Sequence, residues 1–149
     1  MISVAVVGAS GRMGSLALQL IDSDANLKLH AALSSKSDLS QMLGADVVVD
    51  FTLPEVSPKV VEYAIKHDLK VVVGTSGWSE IHLAELVKLL SEHPNAAAVV
   101  IPNFSIGSML AQQFAVQAAK FFDSIEIVEA HHAGKVDSPS GTAVRTAEQ

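Results

Sequence analysis

One stretch near the end of the chain, "EAHHAGKVDSPSGTA" (129–143), concentrates more reactive chemistry than any other. His131, His132 and Lys135 are cationic or proton-donating side chains, and Ser140, Gly141 and Thr142 read as a helix start. Serine is a favoured helix cap, and a helix start presents free N–H groups at the positive end of the dipole. Donors ahead of such a terminus suit an anion. A metal is not expected, because His131, His132 and Asp137 make three mixed ligands without a fourth nearby. His30, His67, His82 and His93 have no comparable company and receive no role.

A second motif lies at the other end. "VAVVGASGRMGS" places Gly8, Gly11 and Gly14 after an apolar run and at the opening of a helical pattern. Glycines at this spacing let a backbone turn sharply and approach a pyrophosphate, so the turn is expected to bind a dinucleotide. The acidic residue that would hold a ribose 2′-hydroxyl is missing about twenty positions on. Ser34, Ser35 and Lys36 stand there instead. With Arg12 they suit a 2′-phosphate, so NADPH is expected to be modestly preferred over NADH; Lys36 reads equally well as a solvated loop residue. Two further segments, "VVVGTSGW" and "VVIPNFSIG", end strand-like runs. Gly74, Thr75 and Ser76 can bring backbone to a ribose or nicotinamide, Asn103 can supply amide hydrogen bonds, and Phe104 can lie against a ring.

The elements that must position these groups alternate regularly. Strands are expected over 2–7, 27–33, 47–49, 71–73, 97–101 and 125–128. Helical stripes run through Met13, Leu16, Ala17, Leu20 and Ile21, and through Val56, Val60, Val61, Ala64 and Ile65, with Pro54 or Pro58 in the first turn of the second. A third helix is expected behind a Ser79 cap, with Leu83, Leu86, Val87 and Leu90 inward. A fourth carries Leu110, Phe114, Ala118 and Phe121. Strand–helix alternation predicts an α/β fold, a doubly wound Rossmann-type parallel sheet. Asp50 is expected to order a turn, and Trp78 to pack.

Bulk properties narrow the partners. The 149 residues carry a net charge of −6, which argues against nucleic acid, and no apolar run is long enough for a membrane. The N-terminus lacks a secretory pattern, so a soluble cytoplasmic protein is expected. The absence of cysteine excludes thiolate-dependent aldehyde dehydrogenases and cysteine-ligated zinc alcohol dehydrogenases. A short-chain dehydrogenase would need Tyr-x-x-x-Lys, but Tyr63 is followed by Lys66 at three and His67 at four.

Taken together, "VGASGRMG", "DFTLPE", "VVGTSGW", "PNFSIG" and above all "EAHHAGKVDSPSGTA" resemble the dihydrodipicolinate reductase family across the whole chain. The resemblance implies NADH- or NADPH-dependent reduction of a cyclic dicarboxylate imine to tetrahydrodipicolinate in lysine and diaminopimelate biosynthesis. It implies His131 as catalytic acid/base and Lys135 as a second proton donor and substrate ligand, with His132, Gly141 and Thr142 on a substrate carboxylate. It assigns cofactor contacts to Gly8, Ala9, Ser10, Gly11, Arg12 and Met13, to Gly74, Thr75 and Ser76, and to Ile101, Pro102, Asn103 and Phe104. Residues 1–130 would then form the dinucleotide-binding domain and 131–149 the beginning of a substrate domain. Family members continue into a sheet that drives tetramer formation, so this chain is expected to be truncated. The alternatives are a non-catalytic dinucleotide-binding or redox-sensing module, and an inactive fragment of the reductase.

Overall fold

The computed structural model describes residues 1–101, 103–134 and 138–149. Two compact units divide the chain, Met1–Pro102 and Asn103–Gln149.

The first unit is built on five short parallel strands: β1 (Ile2–Val7), β2 (Leu27–Leu33), β3 (Val47–Asp50), β4 (Lys70–Val73) and β5 (Ala97–Val100). Their order across the sheet is β2-β1-β3-β4-β5. The connecting helices are α1 (Arg12–Ser23), α2 (Ser57–Lys66) and α3 (Glu80–Glu92), with a single 3-10 turn at Leu39–Met42. Side-chain alternation along β1 supplies both layers. Val4 and Val6 pack with Ile21, Ala17 and Leu18 of α1. Ala5 and Val7 point into the larger core, formed with Val48, Val71 and Val73 of the sheet, Val60, Val61, Ala64 and Ile65 of α2, and Leu86 of α3. Helices therefore cover both faces, as a parallel sheet requires. A fully buried valine contributes about 1.5–3 kcal/mol, so this short-stranded sheet is held mainly by its two apolar layers.

Polar contacts pin the ends of the strands. The Ser3 N–H and hydroxyl donate to Asp46 Oδ2 at 2.7 and 2.8 Å, tying the start of β1 to the residue before β3. The backbone bond, then the hydroxyl, hold the Asp46 carboxyl below its usual value. At the other end of β3, Asp50 is fully buried. Its Oδ1 accepts from the Thr52 N–H at 3.0 Å and the Thr52 hydroxyl at 2.6 Å. Its Oδ2 accepts from the Ser57 and Thr75 hydroxyls, and Trp78 Nε1 donates in turn to Ser57 Oγ at 3.1 Å. Asp50 thus orders the turn after β3 and joins it to the turn after β4. Asp50→Asn replaces one acceptor oxygen by a donor facing two hydroxyls. The expected cost is about 1–3 kcal/mol of stability, read as a lower denaturation midpoint, with no direct loss of a catalytic group.

Most helix boundaries follow their sequence signals. Ser79 caps α3 by accepting the His82 N–H at 3.3 Å, and Pro58 occupies the first turn of α2. In the second unit lie α4 (Ile106–Ala119), capped by Ser105, and α5 (Gly141–Glu148), capped by Ser140. Two expectations fail there. Residues 125–128 form no strand: the sheet has five strands among the described residues, and this segment joins no ladder. The alternation of Ile125 and Ile127 with polar neighbours suits a strand, but a strand exists only where an adjacent backbone pairs with it. The stripe on α4 is likewise not a core face within its unit. Leu110 and Phe114 are 39% and 63% exposed, and Phe121 lies beyond the end of the helix. Periodicity marks a surface that can be buried, and α4 buries none of its residues.

Candidate functional site

The strand order reverses between β1 and β3: the chain leaves β1 towards β2 on one side and later returns to β3 on the other. Ligands in open α/β sheets bind beyond the carboxyl ends of the strands at such a point. The glycine turn lies there. Gly8 has φ +84°, and a Cβ on it would collide with the Phe51 carbonyl after β3. The Gly8 and Ala9 N–H groups both donate to Leu33 O at 2.9 Å, joining the turn to the end of β2. Gly11 donates back to Gly8 O at 3.0 Å and begins α1, where no side chain caps the helix. Gly14 faces the turn so closely that a Cβ would lie 2.7 Å from Ala9 Cα and closer still to Gly8 O. One glycine permits the turn and another the close helix–strand approach, leaving an uncapped helix start with exposed Gly11, Arg12 and Met13. That arrangement fits a pyrophosphate.

After β2 the Ser34–Ser37 segment is a hydrogen-bonded turn. Ser37 Oγ accepts from the Ser34 N–H at 3.0 Å, and the Ser37 N–H donates to Ser34 O at 3.1 Å. Lys36 projects as an exposed cation with no carboxylate in this turn.

Other expected cofactor residues divide by what their side chains already do. Gly74 donates its N–H to Asp50 O at 2.9 Å. Thr75 is 5% exposed and its hydroxyl is turned to Asp50 and to the Thr52 carbonyl, whereas Ser76 is exposed. Ile101 continues the ladder by donating to Val73 O at 2.8 Å, and Pro102 lies outside the described residues. In the second unit, Asn103 Oδ1 accepts the Ser105 N–H and its Nδ2 donates to Ser108 Oγ, both at 2.8 Å. The Asn103 amide therefore sets the start of α4, with one of its two N–H donors left over. Phe104 is 46% exposed.

The second unit also holds the histidine cluster. His131 Nδ1 is 3.7 Å from Glu129 Oε2, with the ring partly exposed. Glu129 Oε1 accepts the Ser140 N–H at 2.7 Å, and its Oε2 accepts the Ser140 hydroxyl. Ser140 Oγ in turn accepts the Ala143 N–H at 3.1 Å, closing the cap of α5. Beyond the missing side chain of Gly141 the space is open, so a ligand can reach that backbone. The Thr142 carbonyl accepts the Thr146 hydroxyl at 2.7 Å. The His132 ring lies over Gly134, where a Cβ would stand 3.4 Å from Nδ1. Lys135 and Asp137 lie outside the described residues. Glu129 is the residue sequence reasoning passed over; its signal was a carboxylate two positions before His131 in the same motif. No cluster of three metal-binding side chains occurs among the described residues.

An open groove of about 420 Å³ lies between α2 and α3, lined by Val61, Glu62, Trp78, His82, Glu85 and Leu86 among others. It contains none of the residues of either motif, and the position of the glycine turn at the switch point is the stronger guide to function.

A doubly wound parallel sheet with a glycine turn at its switch point defines a Rossmann-type α/β chain. The family model described as "Dihydrodipicolinate reductase, N-terminus" matches residues 2–104, and "Dihydrodipicolinate reductase, C-terminus" matches 107–149. The chain belongs to the dihydrodipicolinate reductase family. It is 58% identical over 146 residues to a 4-hydroxy-tetrahydrodipicolinate reductase of Clavibacter michiganensis subsp. michiganensis, covering 98% of this chain and 53% of the relative. With the same-named protein of Cutibacterium acnes the identity is 49%, over 99% of this chain and 60% of the relative. Among solved structures, a dipicolinate-bound dihydrodipicolinate reductase from Paenisporosarcina sp. TG-14 aligns with a TM-score of 0.77 and 28% identity, over 99% of this chain and 64% of that one. The chain thus spans a little over half the length of the curated relatives it matches.

Proposed function

We propose that this chain carries the cofactor-binding and proton-donating parts of a reductase that converts the cyclic dicarboxylate imine 4-hydroxy-tetrahydrodipicolinate, or its dehydrated form, to tetrahydrodipicolinate. The observation that carries the reading is the second cluster: His131 beside a carboxylate that also locks a serine-capped helix start with open backbone at Gly141. Residues 1–130 would serve dinucleotide binding, and 131–149 would open the substrate domain. The whole protein would act as a cytoplasmic homotetramer.

Residues 8–13 would hold the pyrophosphate at the uncapped start of α1, where a helix leaves its first N–H groups open, and backbone at 74–76 and 101–104 would meet the ribose and nicotinamide. The bound cofactor would supply a hydride. Hydride addition to a conjugated imine leaves an electron pair on the substrate, and His131 would quench it by releasing a proton from its ring. Imidazole titrates near neutrality, which suits it to this exchange. His132, Lys135 and the N–H groups of Gly141 and Thr142 would hold carboxylate oxygens by charge-assisted hydrogen bonds. The test is cofactor oxidation with freshly generated substrate, using this chain and a version extended to the length of the relatives.

Cofactor choice follows from the turn after β2. Lys36 and Arg12 are exposed, so their attraction for a 2′-phosphate is screened and contributes under about 1 kcal/mol. NADPH is therefore expected to bind several-fold more tightly than NADH, with both used. Ser34→Asp should move the ratio towards NADH by offering the ribose hydroxyls an acceptor and repelling the phosphate. The ratio of dissociation constants at low and high salt checks this. A starting protein that binds NADH more than about tenfold tighter at low salt would remove the 2′-phosphate role.

A further inference from the structure

Glu129 stands at the crossing of the two jobs proposed for the second unit. Its Oε1 takes the backbone N–H of the α5 cap and its Oε2 takes the cap's hydroxyl. The same Oε2 is 3.7 Å from His131 Nδ1. Ser140 is 4% exposed, so the capping side of this carboxylate is fixed by buried partners. One acidic side chain therefore links the proton donor to the helix start that would bind substrate carboxylate.

On the reductase reading above, we infer that Glu129 is the positioning residue for His131. At 3.7 Å the carboxylate lies beyond hydrogen-bond distance of Nδ1, but its charge favours the tautomer with the proton on that nitrogen. A small approach would make it a hydrogen bond of the kind that orients the histidine of serine proteases. Nε2 is then the atom that releases a proton to the reduced substrate. When it does, the ring is left as the neutral Nδ1–H tautomer, the form that Glu129 supports. The same negative charge opposes an anionic substrate at the α5 start, so Glu129 trades some substrate affinity for a fixed acid. Capping alone does not call for this arrangement, because the Ser140 hydroxyl already closes the cap on the Ala143 N–H.

Nitrogen NMR of the His131 ring in this chain, at a pH where the ring is neutral, tests the inference. The proton is expected on Nδ1, and Glu129→Gln should shift the population towards Nε2–H. Ser140→Ala provides the structural control: it should loosen α5, read from the amide shifts of residues 141–148, yet leave the His131 tautomer in place. In the protein extended to family length, Glu129→Gln should lower kcat at least about tenfold while KM for the imine stays level or falls. A purely structural role would instead raise KM and lower kcat together in both variants. Equal tautomer populations in wild type and Glu129→Gln, or a shift in Ser140→Ala as large as that in Glu129→Gln, would overturn the inference. If the tautomer responds as expected but the unsubstituted extended protein does not turn over, the reductase reading fails and the positioning role stands.

Discussion

His131→Ala, introduced into the protein extended to family length, is expected to lower kcat by about a hundredfold or more while the dissociation constants of NADPH and NADH stay within about twofold. General acid catalysis by a placed side chain typically contributes at least that much. The cofactor should be indifferent, because His131 is not among the residues assigned to cofactor binding, 8–13, Lys36, 74–76 and 101–104. His131 caps no helix and is partly exposed, so its removal leaves no buried group unsatisfied. Steady-state kinetics with saturating cofactor, beside a fluorescence titration of the reduced nucleotide, separates the two effects. Turnover matching the unsubstituted protein would take His131 out of the mechanism.

A second large effect is expected at Gly8. The residue sits at φ +84°, a conformation that an L side chain adopts only at a cost. A methyl group there would also lie 2.6 Å from the Phe51 carbonyl carbon and 3.1 Å from the Thr52 nitrogen. These are backbone atoms of the segment that Asp50 holds in place, so no side-chain rotation relieves the clash. Backbone strain of about 1–3 kcal/mol adds to overpacking of about 1–3 kcal/mol. Gly8→Ala should therefore lose roughly 2–6 kcal/mol of stability. Calorimetry should show a marked fall in the unfolding midpoint, and NADPH affinity should weaken by at least about tenfold as the turn is displaced. A variant with unchanged stability and affinity would show that the β1–α1 turn is not held as described.

How much of this was legible beforehand depended on whether the cause was local. The glycine turn was readable because each glycine answers a local demand, for a turn or for close packing, and the flanking valines mark a strand buried on both faces. Ser79 and Ser140 announced their helices because capping is set within four residues. The failures share one origin. Ile125 and Ile127 have the alternation of a strand, and Leu110 and Phe114 the spacing of a core stripe, but ladder and burial both need a partner surface that local pattern does not specify. Asp50 was rightly expected to order a turn, yet its reach to Thr75 and, through Ser57, to Trp78 joins residues distant in the chain. Glu129 went unassigned for the same reason: its link to Ser140 spans eleven residues and becomes visible only when the chain folds back.

The most direct measurement of the central proposal is the absorbance of reduced nicotinamide during reaction of the family-length protein with freshly generated 4-hydroxy-tetrahydrodipicolinate. The predicted result is oxidation of both NADPH and NADH that depends on the imine and is lost in His131→Ala. Tight binding of both cofactors without any imine-dependent oxidation would contradict it, and would leave a dinucleotide-binding module in place of an enzyme.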